Sequence, residues 1–209
     1  MAAHVKAVLT DLYADTVEHG FLTHGALLVH GERALLLSGE PRAGKTTLAL
    51  ALAASGWQYG GDDIVRISPD GGARGIPFSA AVKGGSVPLL RGMWPELEGL
   101  PAWVRSDGQR ARYLLPPNRA APRPRPLSVV VTLAQRPRAA TRIRPVSAVD
   151  ALSAIVQSAS ARRWRMTGDA LSALAESLEP AVCVQLEYSD LGGAVRAIGE
   201  IARVQAQAA

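Results

Sequence analysis

Eight consecutive residues, Gly39-Glu40-Pro41-Arg42-Ala43-Gly44-Lys45-Thr46, have the types and the order needed to hold a polyphosphate. They fit the pattern of a glycine, four variable residues, Gly-Lys and a hydroxyl residue, without a gap. The glycines let the backbone aim successive N–H groups inward at phosphate oxygens. Lys45 adds a mobile cation for the outer phosphates, and the Thr46 hydroxyl is of the kind that ligates Mg²⁺. Thr47 follows as a further contact in the first turn of a helix whose positive end points at the same place. An ordinary glycine-rich turn gives no reason to put Lys-Thr at a helix start. The implied ligands are ATP and Mg²⁺.

A second group that could do chemistry is the acidic pair Asp62-Asp63, seventeen positions after Lys45. Asp62 is the candidate general base, taking a proton from an acceptor hydroxyl as it attacks the γ-phosphate. Asp63 is the candidate Mg²⁺ ligand; a plain acidic turn is the competing reading of the pair. The roles are exchangeable, because neighbours on a strand face opposite ways unless a bulge intervenes. Gly60-Gly61 just before the pair provides for such a bulge. Lys83, Arg110 and Arg112 are cations in loop-like surroundings, available to steady a phosphate, although a solvated loop explains any one of them as well.

These residues need a scaffold, and the pattern predicts one. Leu22–Val29 and Arg33–Ser38 read as two strands joined across His30-Gly31-Glu32, a hairpin leading straight into the loop. Residues 46–55 (TTLALALAAS) read as a helix closed by Gly56. Trp57–Ile67 reads as a strand broken at Gly60–Asp63, followed by a turn at Pro69–Gly72. Val5–Val17 has helical spacing of apolar residues. Residues 76–126 are rich in Pro and Gly, with one helix expected over Val87–Met93 and an extended Pro/Arg connection over Arg119–Pro126. Leu127–Leu133 is a β-branched run of the kind buried on both faces. Helices are expected over Ser147–Ser158, Gly168–Leu178 (with Asp169 helping to cap it) and Leu191–Gln207, and a strand over Ala181–Tyr188. Alternation of this kind predicts an α/β or α+β class with one central sheet.

In order, His24-Gly25, the loop Gly39–Thr46, the helix Ala49–Gly56 and Asp62-Asp63-Ile64-Val65 resemble the HPr serine kinase/phosphorylase family. The likeness covers roughly Thr23 to Ile67 and is loose beyond it. It implies a phosphate-loop kinase domain of the HPr kinase/phosphoenolpyruvate-carboxykinase-like type, with a mixed central sheet flanked by helices. It also implies a serine hydroxyl as acceptor, on a peptide or small protein such as an HPr-like protein or a lasso-type peptide precursor, and homo-oligomers. It places His24 beside the catalytic carboxylate; a histidine bonded to backbone is the equal alternative. Pro41-Arg42 stands where the family has a small residue, and Thr46 where it has serine. The family's additional N-terminal domain has no room in this chain, so one kinase domain over 1–209 is expected, divided at 20, 67 and 126. Kinases of small hydroxylated metabolites such as free serine, and non-catalytic nucleotide sensors, are the competing readings.

Bulk composition sets the outer bounds. With 209 residues, 48% of them apolar and 20% charged, the chain can bury a core and is not of the disordered class. No run of about 18 apolar residues occurs, and the N-terminus lacks the build of a secretion signal, so a cytoplasmic protein is expected. The net charge of +5 favours anionic ligands. Scattered arginines argue against a dedicated nucleic-acid binder, and Arg162-Arg163-Trp164-Arg165 reads as a solvated patch or a contact for an acidic peptide. A lone cysteine, Cys183, excludes an internal disulfide, and no histidine cluster has zinc spacing.

Overall fold

The computed structural model describes residues 21–207, apart from 69, 77, 106, 136–139 and 159–166, together with Val8, Leu9 and Leu12. Those three are helical and exposed. The rest of the helix expected over Val5–Val17, the Pro69 end of the predicted turn, and Arg162–Arg165 lie outside the described residues.

The hairpin leading to the loop is present, with one correction. The stretch expected as a single strand over Leu22–Val29 is two, β1 (Phe21–Thr23) and β2 (Ala26–His30), parted at His24-Gly25. A side chain at Gly25 would meet the Leu36 side chain at 2.8 Å and the Leu37 carbonyl at 2.9 Å, so the chain can change direction there only without a Cβ. β2 then pairs antiparallel with β3 (Arg33–Ser38), closing on His30 and Arg33 around Gly31-Glu32. Helix α1 (Lys45–Ala54) follows the loop, and its buried residues run all the way round it.

β4 (Gln58–Asp62) returns antiparallel to β2. The pairing slips between Leu27↔Gly61 and Leu28↔Tyr59, leaving Gly60 as the extra residue of a bulge, where Gly60-Gly61 predicted one. β5 (Val65–Ile67) pairs with β1 and with β6 (Gly72–Gly75). The long strand β10 (Arg125–Gln135) joins the two halves. Its first residues pair antiparallel with β6, and from Leu127 onward it runs parallel to β3 and, from Val129, to β12 (Val182–Tyr188). The full path is β1-β5-β6-β10-β3-β2-β4, with β12 on β10 and β11 (Arg142–Pro145) beyond it. This mixed sheet carries helices on both faces.

One face packs against α1 and α5 (Leu191–Gln207), through Leu35, Leu37, Val129, Val131 and Val184. The other packs against α3 (Ala148–Ser158) and α4 (Gly168–Leu178), through Leu36, Val130 and Cys183. Those helices and strands match the expected ones to within a residue or two. α3 is capped by Ser147, whose hydroxyl accepts the Asp150 N–H at 3.1 Å and donates to its carboxylate at 2.7 Å. At α4 the first bond runs from the Leu171 N–H to the Thr167 carbonyl, so the chain enters that helix at Thr167, with Asp169 in the first turn.

Residues 76–126 depart most from expectation. They build a second, three-stranded sheet from β7 (Ala80–Lys83), β8 (Trp103–Val104) and β9 (Arg110–Leu114), in the order β7-β9-β8. The helix expected over Val87–Met93 is one turn, α2 (Val87–Leu90). This small sheet is tied to the large one by α1. Trp94 donates from its indole to the Leu50 carbonyl at 3.1 Å, and Leu50, Tyr59, Val82, Leu90 and Leu97 share a core.

Candidate active site

The loop between β3 and α1 holds left-handed backbone at three places: Gly39 (φ 140°), Arg42 (φ 72°) and Gly44 (φ 90°). Only two of these are glycines, so Arg42 carries strain of the kind found where a ligand is clamped. Gly44 is fixed twice over. Its φ disfavours any side chain, and a Cβ there would overlap the Tyr188 hydroxyl. That hydroxyl, at the end of β12, donates to the Ala43 carbonyl at 3.2 Å and so braces the loop from behind. Burial pushes the Tyr188 pKa up to about 12, so the brace keeps its proton at any physiological pH.

α1 starts without a cap. Gly44 offers no side-chain acceptor, and the first turn contains no acidic residue. The leading N–H groups therefore point out of the helix end, where an incoming anion can satisfy them. Lys45 is buried, and its ammonium donates to the Gly39 carbonyl at 2.7 Å and the Glu40 carbonyl at 3.1 Å. Burial lowers its pKa, against the opposing pull of Asp62 and Asp63 and with a smaller push from Lys83.

The bulge at Gly60 delivers the acidic pair to this loop. Asp62 is buried, and its Oδ2 accepts the Thr46 hydroxyl at 2.8 Å. Asp63 follows in left-handed backbone (φ 86°) and is half-buried. A side chain at Gly61 would strike the Ile76 carbonyl, so the backbone just before the acidic pair needs glycine. His24 lies in the bend between β1 and β2, and its Nδ1 is 2.9 Å from the Asp63 carbonyl oxygen. A carbonyl only accepts, so Nδ1 carries the hydrogen of that bond. His24 is thus bonded to backbone, that of Asp63, and lines the same cleft as Asp62.

Together with Pro41, Thr47 and Ala81, these groups line a cleft of about 390 Å³. Its far wall comes from the small sheet: Lys83 at the end of β7 and Ser86 just after it, and Arg105 and Asp107 in the β8–β9 connection. Thr47 and Ser86 share a hydroxyl bond of 2.8 Å that ties the wall to α1. Arg105 pairs with Asp107 at 3.4 Å. The three cations expected in loops all lie on strands, Lys83 on β7 and Arg110 and Arg112 on β9, and of them Lys83 alone lines the cleft. Arg112 donates to the Leu100 carbonyl at 3.1 Å and Arg110 is exposed on β9, neither of them in the lining. Arg105, Asp107, Ser86 and Tyr188 escaped the sequence reading. Asp107-Gly108 is a turn signal, but the flanking strands are too short to show alternation.

Among the described residues no three His, Cys, Asp or Glu side chains gather as a metal cage. The oxygen donors fit a cation that takes most of its ligands from phosphate and water, as Mg²⁺ does. Thr46 gives its one hydrogen to Asp62, which leaves its lone pairs for a metal. No described helix is long and apolar enough to cross a membrane.

No protein-family model matches the chain. No curated protein is similar to it in sequence. Among solved structures it is similar to the HPr(Ser) kinase/phosphatase from Coxiella burnetii, at 14% identity and a TM-score of 0.36, over 89% of this chain and 96% of that one.

Proposed function

We propose that this protein is an ATP- and Mg²⁺-dependent kinase that transfers the γ-phosphate to a serine hydroxyl of a peptide or small protein. The observation that carries the reading is the 2.8 Å bond from Thr46 to a buried Asp62, at the open N-terminus of α1 and in a cleft with Lys45. A site for bare phosphate has no need of a carboxylate there, since a carboxylate repels the group the loop attracts; a site for a Mg²⁺-nucleotide and an attacking hydroxyl does.

The residues divide the work. The loop N–H groups and Lys45 hold the donor, and Lys45 exchanges its carbonyl partners for phosphate oxygens when the donor arrives. Thr46 and Asp63 would hold Mg²⁺, which would neutralise phosphate charge when bound. Asp62 keeps one oxygen on Thr46, and its other oxygen takes the proton of the attacking hydroxyl. His24 holds the backbone of Asp63 and so fixes where the second carboxylate sits. Lys83 and Arg105, on the opposite wall, steady the phosphoryl group as it moves.

The test is an intact-mass screen of protein, ATP and Mg²⁺ with an HPr-like protein, serine-containing precursor peptides and free serine. Phosphate on a peptide or protein is the expected outcome. Phosphate on free serine alone moves the acceptor to small metabolites. ATP binding with no acceptor gaining mass favours a nucleotide-binding regulator.

A further inference from the structure

A second cavity, of about 800 Å³, lies on the opposite flank of the same loop. It shares Pro41 and Arg42 with the cleft that holds Asp62, so the loop forms the ridge between them. Its floor is set by strand register. Ser38, Thr132 and Gln185 stand side by side at the carboxyl ends of the parallel strands β3, β10 and β12. Two residues earlier on the same face, Leu36, Val130 and Cys183 form an apolar row under α3. Each of the three strands therefore changes from apolar to polar at one level, where the sheet meets the loop. In open α/β sheets, ligands bind outside the carboxyl ends of the strands.

Ser38 is engaged with Ser158, its hydroxyl 3.3 Å away. Thr132 and Gln185 line the cavity, with Gln157 from the end of α3 and the small apolar surfaces of Leu133, Ala134 and Ala154. Apart from Glu40 and Arg42 of the loop, no charged residue lines it among the described residues. Uncharged amides beside small apolar side chains suit a flat neutral ring, and carboxamides pair with the edges of nucleobases. The volume is in the range of small-molecule sites.

We infer that this cavity holds the nucleoside half of the phosphate donor, with Gln185 and Gln157 bonded to its polar edges, while the outer phosphates cross the loop toward Lys45 and Asp62. The inference rests on the donor-site reading proposed above. The acidic pair lies on the other flank, so the reacting end of the donor belongs there and the nucleoside end here.

The experiment compares ATP with inorganic tripolyphosphate, each with Mg²⁺, by calorimetry on the wild type and on a Gln157→Leu/Gln185→Leu variant. Gln157 is exposed and Gln185 half-buried, so neither change empties the core. The wild type should bind ATP more tightly than tripolyphosphate. The variant should lose roughly tenfold in ATP affinity, the worth of one or two hydrogen bonds, and keep its tripolyphosphate affinity. Equal wild-type affinity for the two ligands, an unchanged ATP affinity in the variant, or an equal loss for both ligands overturns the nucleoside assignment and leaves the phosphate site standing. If the wild type binds neither ligand, the donor-site reading itself fails.

Discussion

Asp62 and Lys45 bear on different halves of the proposed reaction, and single substitutions separate them. Asp62→Asn keeps an oxygen to accept the Thr46 hydroxyl but cannot take a proton. Transfer should fall by about a hundredfold or more, with ATP affinity changed only a few-fold. Transfer near the wild-type rate would remove Asp62 from the role of base. Lys45→Ala removes the cation that bonds the loop carbonyls and, in the proposed reaction, the phosphates. ATP affinity should drop at least about tenfold, and turnover further, as expected for a buried charge-assisted contact. Titration that finds wild-type ATP affinity in Lys45→Ala would mean that the lysine serves the loop and not the donor.

The loop and the end of β12 act as one element through Gly44 and Tyr188. Gly44→Ala suffers from two faults, the positive φ and the overlap with the Tyr188 hydroxyl. Tyr188→Phe leaves the nearest ring carbon at 3.6 Å, an ordinary contact. A double-mutant cycle by denaturant unfolding should therefore show coupling: Gly44→Ala costs less in the Tyr188→Phe background than in the wild type. The φ penalty, about 1 kcal/mol, should persist in both. Strict additivity would show that the hydroxyl does not press on the loop. The hairpin argues at the same scale. Its turn and second strand were legible from His30-Gly31-Glu32 and the apolar run after it. The break at His24-Gly25 was not, because it is caused by Leu36 and Leu37 on the neighbouring strand.

For the whole molecule, two buried tyrosines set an alkaline limit. Burial raises Tyr59 well above its ordinary value and Tyr188 to about 12. An unfolded tyrosine loses its proton near 10, so the folded state holds more protons above that pH. The stabilisation is complete below about pH 10 and is lost as the pH rises toward about 12, by roughly 1.4 kcal/mol per pH unit for each tyrosine. The fall in urea midpoint between pH 9 and 11.5 should be shallower in Tyr188→Phe than in the wild type. Parallel curves would show that Tyr188 is not one of the groups responsible.

The sequence by itself determined the glycine-bounded loop Gly39–Thr46, the helix after it, the bulge before Asp62 and the long helices of the second half. Each depends on local rules: glycine where φ must be positive, apolar spacing along one helix face, and an uninterrupted β-branched run for a strand covered on both sides. What only the tertiary structure decided is which distant residues share the cleft. Lys83 reaches it and Arg110 does not: β9 sets Ala111 beside Lys83 of β7, and Arg110 beside Val104 of β8, away from the cleft. The polar row Ser38-Thr132-Gln185 joins residues far apart in the chain, and nothing within any one strand announces it. It exists only once parallel pairing puts the three strands in register, since strand neighbours are chosen by sheet topology and not by local propensity.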